Sequence, residues 1–209
     1  SVGAGNIPEG AKRIVKDLIK PKINWREILD TQIKSCINSD FTYKNPSSRS
    51  WQGNIVFPGM EVENTIDCCV AIDVSGSIDN EMLRDFISEV KGIMEEFTDF
   101  KLRIWSFDTQ VHAYKEFNST NINEFEKWEP IGNGGTDFMC NWEFMKNPEK
   151  FNVNCDPIEP QQLVIFTDGM PFASWGDENY CDTLFIIHGN QDIKAPFGIT
   201  TYYEHFLNN

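Results

Sequence analysis

Cys68-Cys69-Val70-Ala71-Ile72-Asp73-Val74-Ser75-Gly76-Ser77 opens with an unbroken apolar run, residues 68–72, that stops at an aspartate. A run of this kind reads as a strand buried on both faces, as in a parallel sheet covered by helices. Beyond it, apolar residues recur at 78, 82, 83, 86, 87, 90, 93, 94 and 97, which predicts a helix with one buried face. Asp73, Ser75 and Ser77 therefore fall on a tight loop at the carboxyl end of a strand. Open α/β sheets bind their ligands at that edge, and Gly76 lets the backbone turn sharply.

Three small oxygen-bearing side chains at alternate positions suit a hard cation. Mg²⁺, Mn²⁺ and Ca²⁺ prefer carboxylate and hydroxyl oxygens, whereas none of these positions offers the thiolate or imidazole that zinc favours. Three oxygens do not fill an octahedral shell. Gly134-Gly135-Thr136-Asp137 supplies a hydroxyl on a glycine-rich loop. A second apolar strand, Leu163-Val164-Ile165-Phe166, ends in Thr167-Asp168-Gly169 and supplies another carboxylate at the same edge. The competing reading makes Asp73 and the serines mere caps of the following helix.

Asp73-x-Ser75-x-Ser77, then Thr136, then Thr167-Asp168-Gly169 resemble the metal-ion-dependent adhesion site of von Willebrand factor A (VWA) domains, all five ligand positions in order. The resemblance implies that the serines and Thr136 contact the metal while Asp73 and Asp168 often act through water. It also implies an open position that takes an Asp or Glu carboxylate from a partner protein. Hydroxyl ligands leave the cation short of negative charge, and Mg²⁺ keeps exchangeable waters readily.

The remaining pattern fits a doubly wound, mostly parallel α/β sheet. Residues 101–107 alternate and read as the second strand; 111–114 read as an antiparallel edge strand. Asp108 between them is either an Asx-turn residue closing the hairpin or a carboxylate near the metal. His112 reads as a surface residue. Residues 122–128 predict a short amphipathic helix with Asn121 as its cap, and Asp137 is expected to cap the helix holding Trp142, Phe144 and Met145. Residues 147–160 read as a surface loop, 183–188 as a further strand and 196–203 as the end of the sheet. Met170, Phe172 and Trp175 follow Asp168 on a long loop. Exposed, they form a partner-binding rim; folded inward, they join the core.

Residues 1–60 read as a helical extension and linker, and 61–209 as the VWA-like domain. In the extension, apolar stripes predict one helix around Ile14, Val15, Leu18 and Ile19, ended by Pro21, and another over about 24–37. Turn-rich 43–49 and a short edge segment at 54–59 follow. Pro21-x-x-x-Trp25-Arg26-x-x-Leu29, Asn45-Pro46-x-x-Arg49 and Phe57-Pro58-Gly59 are similar to the bacterial and phage VWA-like family that forms the C-terminal part of predicted metallopeptidase-like proteins. That resemblance implies a zinc-peptidase-like HExxH helix in a preceding half. Histidine occurs only at 112, 188 and 205, none in HExxH, so peptidase chemistry would require another domain. Working with an AAA+ ATPase of the MoxR type is a further implication of the family alone.

Composition narrows the function classes. The 209 residues suit one domain with an extension, with 40% hydrophobic residues and 16 phenylalanines for a core. Eighteen basic against 32 acidic residues give a net charge of −14, which repels nucleic acid and anionic membranes and attracts divalent cations. The six cysteines lack CxxC spacing, and Cys68 and Cys69 read as small buried hydrophobes on opposite faces of a strand. With no signal peptide and no long apolar run, a cytoplasmic location is expected. The leading reading is an intracellular, non-enzymatic protein-binding module that uses Mg²⁺ (or Mn²⁺ or Ca²⁺). The alternative is a metal-dependent hydrolase or the non-catalytic part of a metallopeptidase-like protein; the hydrolase is disfavoured because no histidine or spare glutamate flanks the three motif loops.

Overall fold

A computed structural model describes residues 24–35, 65–74, 78–132 and 134–204. The expected features at 14–19, 43–49 and 54–59 and the boundary at 60/61 lie outside these residues, as do Cys36, Ser75, Ser77 and His205.

The strands are β1 (Thr65–Asp73), β2 (Asp99–Phe107), β3 (Val111–Phe117), β4 (Gln162–Thr167), β5 (Asp182–Ile187) and β6 (Ile199–Tyr202). They form one sheet in the order β3-β2-β1-β4-β5-β6. All neighbouring pairs are parallel except β2 and β3, so β3 is the antiparallel edge that the sequence predicts. The strand order reverses between β1 and β4, where the chain winds away in both directions and leaves a crevice at the carboxyl ends.

The helices are α1 (Trp25–Ser35), α2 (Asn80–Glu95) and α3 (Met139–Lys146), with 3₁₀ turns at Ile122–Lys127 and Pro148–Phe151. Because side chains alternate along a strand, β1 feeds two cores. Cys68, Val70 and Ile72 pack under α1 and α2, while Cys69 and Ala71 pack under α3 with Trp142, Phe144 and Met145. Cys68 and Cys69 lie on opposite faces of the strand, as their spacing requires.

Trp25, Leu29 and Ile33 recur every four residues along α1 and are buried in the same core as β1 and α2. Trp25 meets Phe86 and Tyr203 at ring-centroid distances of 6.1 and 5.3 Å. Arg26 clamps the helix from outside: one guanidinium nitrogen reaches both oxygens of Asp85 at 2.6 and 2.7 Å, and its Nε donates to Glu89 at 3.0 Å.

Two helix expectations change. α2 starts at Asn80 because the Asp79 carboxylate accepts the N–H groups of Glu81 and Met82, at 2.9 and 2.8 Å. That bond answers the capping alternative for Asp73: a different aspartate does the capping. The segment expected as a short helix near 122–128 is a 3₁₀ turn, and Asn121 does not cap it. Its carboxamide instead accepts from the Asn118 N–H and donates to the Glu116 carbonyl, which closes the preceding turn.

Candidate metal-binding site

Asp73 is the last residue of β1 and is only 1% exposed. The parallel register pairs Ile72 with Phe166, so one step further Asp73 stands beside Thr167 at the end of β4. The Thr167 hydroxyl donates to Asp73 Oδ2 at 2.6 Å, and the Thr136 hydroxyl lies 3.5 Å from Oδ1, at the outer limit of a hydrogen bond. Thr136 is buried as well. A buried carboxylate is costly unless hydrogen bonds or a cation compensate it.

Thr136 reaches this point because its loop is fastened to the end of β2. Ser106 Oγ donates to the Ile131 carbonyl at 2.6 Å and accepts the Ile131 N–H at 2.9 Å. The Asp137 N–H donates to the Asp108 carbonyl at 2.9 Å. Between these anchors, Gly132 has φ +147° and passes so close to Val74 that an added Cβ would sit 2.3 Å from its methyl group. Only glycine fits there.

The third loop is fastened to the second. The Gly169 N–H donates to Thr167 Oγ1, the Met170 N–H to Asp168 Oδ1, and the Phe172 N–H to the Thr136 carbonyl, each at 3.0 Å. Asp73, Thr136 and Asp168 thus come to one sheet edge. Ser75 and Ser77, the other two expected ligands, lie outside the described residues.

Asp108 closes the hairpin as an Asx-turn residue, its Oδ1 accepting the Gln110 N–H at 2.9 Å. It does more than that reading foresaw, since its carbonyl holds the Thr136 loop and His112 Nε2 lies 3.1 Å from its Oδ1. Asp137 bonds the first N–H of α3, that of Met139, at 3.0 Å, in keeping with its expected role at the helix start. Trp175 turns inward and meets Phe138 and Phe185 edge-on at 5.4 Å, whereas Met170 and Phe172 stay exposed.

Two residues at this edge escaped the sequence reading. Thr167 was visible only as part of Thr167-Asp168-Gly169; its partnership with Asp73 needs the β1–β4 register. His188 corrects the statement that no histidine flanks the motif loops. It follows β5, its N–H donates to the Thr167 carbonyl at 3.0 Å, and its ring lies 5.4 Å from that of Phe166. It is buried with no hydrogen-bond partner for Nε2. Burial lowers its pKa below the usual imidazole range, against the opposing pull of Asp168 and Asp79.

Carboxylates also act on the thiol at the start of α3. The buried Cys140 thiol is pushed far up, first by burial and then by Asp137, Asp108, Glu143 and Asp73. Among the described residues no three His, Cys, Asp or Glu side chains converge to hold a metal. A set built on two carboxylates and three hydroxyls does not require such a triad, and oxygen donors of this kind suit Mg²⁺ rather than zinc.

The family described as VWA-like domain (DUF2201) matches residues 68–202, from within β1 to the last residue of β6. The chain belongs to this family. The match takes in all five expected ligand positions of the VWA-like domain. Among solved structures, the conserved hypothetical protein BatB from Bacteroides thetaiotaomicron is 13% identical over 61% of this chain and 68% of its own, with a TM-score of 0.42. The ArnB paralog VWA2 from Sulfolobus acidocaldarius is 18% identical over 60% of this chain and 35% of its own, with a TM-score of 0.36. An aerotolerance-related membrane protein from Bacteroides fragilis NCTC 9343 is 12% identical over 58% of this chain and 67% of its own, with a TM-score of 0.37. No curated protein matches the chain. Among the described residues no helix is long and apolar enough to cross a membrane.

Proposed function

We propose that this VWA-like domain is a protein-binding module whose divalent cation is held by Asp73, Ser75, Ser77, Thr136 and Asp168. The observation that carries the proposal is the buried Asp73 carboxylate, approached by the hydroxyls of Thr167 and Thr136 at the sheet's switch point. When bound, the cation supplies an electrophilic centre for one carboxylate oxygen of a partner's Asp or Glu. Thr167 orients Asp73, the Ser106 and Asp108 anchors present Thr136, and the Met170 N–H steadies Asp168. Such supporting bonds set ligand geometry as strongly as the ligands themselves.

Mg²⁺ is the proposed ion, with Mn²⁺ and Ca²⁺ as alternatives that the same oxygen set admits. The reading is one of binding and assigns no catalytic residue. An adaptor role beside a MoxR-type AAA+ ATPase, and association with a metallopeptidase-like protein, rest on the family resemblance alone.

Calorimetric titration of metal-free protein with Mg²⁺, Mn²⁺ and Ca²⁺, repeated on Thr136→Ala and Asp168→Ala, tests the proposal. Saturable binding by the wild type that both variants lose is the expected result. A wild type that binds none of the three ions would overturn it.

A further inference from the structure

Among the described residues four large apolar side chains are exposed: Ile131, Met170, Phe172 and Ile199. The first three sit on the two loops that carry Thr136 and Asp168, so nearly all of this exposure surrounds the proposed metal. Water-exposed apolar side chains gathered in one place mark interaction surfaces.

The backbone of each rim residue is pinned at or beside the site. Ile131 is held through both its N–H and its carbonyl by Ser106 Oγ. Met170 donates its N–H to Asp168, and Phe172 donates its N–H to the Thr136 carbonyl. The Phe172 ring lies over Gly135, where an added Cβ would be 2.3 Å from its Cζ, yet the side chain is 74% exposed. These side chains are held outward by an ordered backbone, which reduces the entropy lost when a partner docks. Trp175, the other residue expected on this rim, belongs to the core.

We infer that Ile131, Met170 and Phe172 form an apolar collar that selects the partner of the proposed metal site: a peptide segment with one Asp or Glu flanked by bulky apolar residues. The inference rests on the carboxylate reading. The collar sets the flanks because a charged neighbour would lose its hydration against Met170 and Phe172 without gaining a partner. A second acid in the segment would also enter the field of Asp108, Asp137 and Asp168, a penalty that matches the chain's net charge of −14.

The test is selection of a displayed random peptide library on the full chain in Mg²⁺, with release by EDTA. The expected sequences carry a single acid next to Leu, Ile, Met, Phe or Trp. Synthetic peptides made from them should bind Met170→Ser/Phe172→Ser at least about tenfold more weakly, while Mg²⁺ affinity of that variant, which changes only side chains and keeps the backbone N–H groups that bond Asp168 and Thr136, stays within about twofold of the wild type. EDTA-released sequences bearing an acid but no apolar enrichment would overturn the collar and leave the carboxylate reading standing. Recovery of no EDTA-released sequence would overturn both. A dimer in sedimentation that the same double variant abolishes would assign the collar to a second copy of the chain and overturn the peptide.

Discussion

The Thr167 hydroxyl donates a 2.6 Å hydrogen bond to Oδ2 of Asp73, tying the ends of β4 and β1 where the strand order reverses. Both residues are buried. Thr167→Val keeps the shape and deletes the donor, so Asp73 loses a hydrogen bond at a site with little water. The expected cost is about 1–3 kcal/mol in urea unfolding, with Mg²⁺ affinity lower by on the order of tenfold. Thr167→Ser should retain both. Unchanged Mg²⁺ affinity in the valine variant would show that this bond does not orient Asp73.

Gly135→Ala places a methyl group against the Phe172 ring. The ring is exposed and its far edge can swing aside, so the stability cost should be small, about 0.5–1 kcal/mol. That cost should vanish in a Phe172→Ala background, and a double-mutant cycle measures the difference. A full-sized cost without Phe172 would place the strain in the backbone of the loop.

Trp25 makes α1 part of the domain's packing. Trp25→Ala should cost about 3–5 kcal/mol in urea unfolding. Trp25→Phe should cost much less, because the Trp25 indole N–H is buried without a partner and its loss forfeits no hydrogen bond. Equal and small effects of both changes would mean that α1 is dispensable to the core.

His188 gives a pH dependence with a definite sign. Its folded pKa lies below the ordinary 6.5, with burial as the first cause. In the window from 6.5 down to the folded pKa, the unfolded chain therefore binds more protons. The contribution of neutral His188 is fully present above 6.5 and is lost as pH falls through that window. Urea unfolding of metal-free protein at a series of pH values should show this decline. His188→Leu, which cannot take up the proton, should flatten it; an identical decline in the variant would place its origin elsewhere.

Much of the molecule can be read along the chain. β1 and β4 announce themselves because a strand buried on both faces needs an apolar residue at every position, and the apolar stripes of α1 and α2 follow from the helical repeat. The edge position of β3 matched its composition, since the buried strands carry longer apolar runs. The five expected ligands were visible because glycine-rich turns and strand ends are local features. By contrast, the real cap of α2 was missed: Asp79 competed with other oxygen-bearing residues nearby in sequence, and only its bonds to Glu81 and Met82 decide the matter.

The sequence by itself determined the strand and helix periods, the sheet's covered faces and the residue types that suit a hard cation. These depend on neighbours a few residues apart. Tertiary structure alone decided that Thr167, 94 residues from Asp73, is its hydrogen-bond donor, because that requires the β1–β4 register. It also decided that Trp175 turns inward while Phe172 stays out: whether an aromatic on a loop is buried depends on the ring it meets across the fold, here Phe138 and Phe185. His188 stands at the site edge for the same reason. Parallel pairing aligns the ends of β4 and β5, and no local pattern records which strand ends will lie side by side.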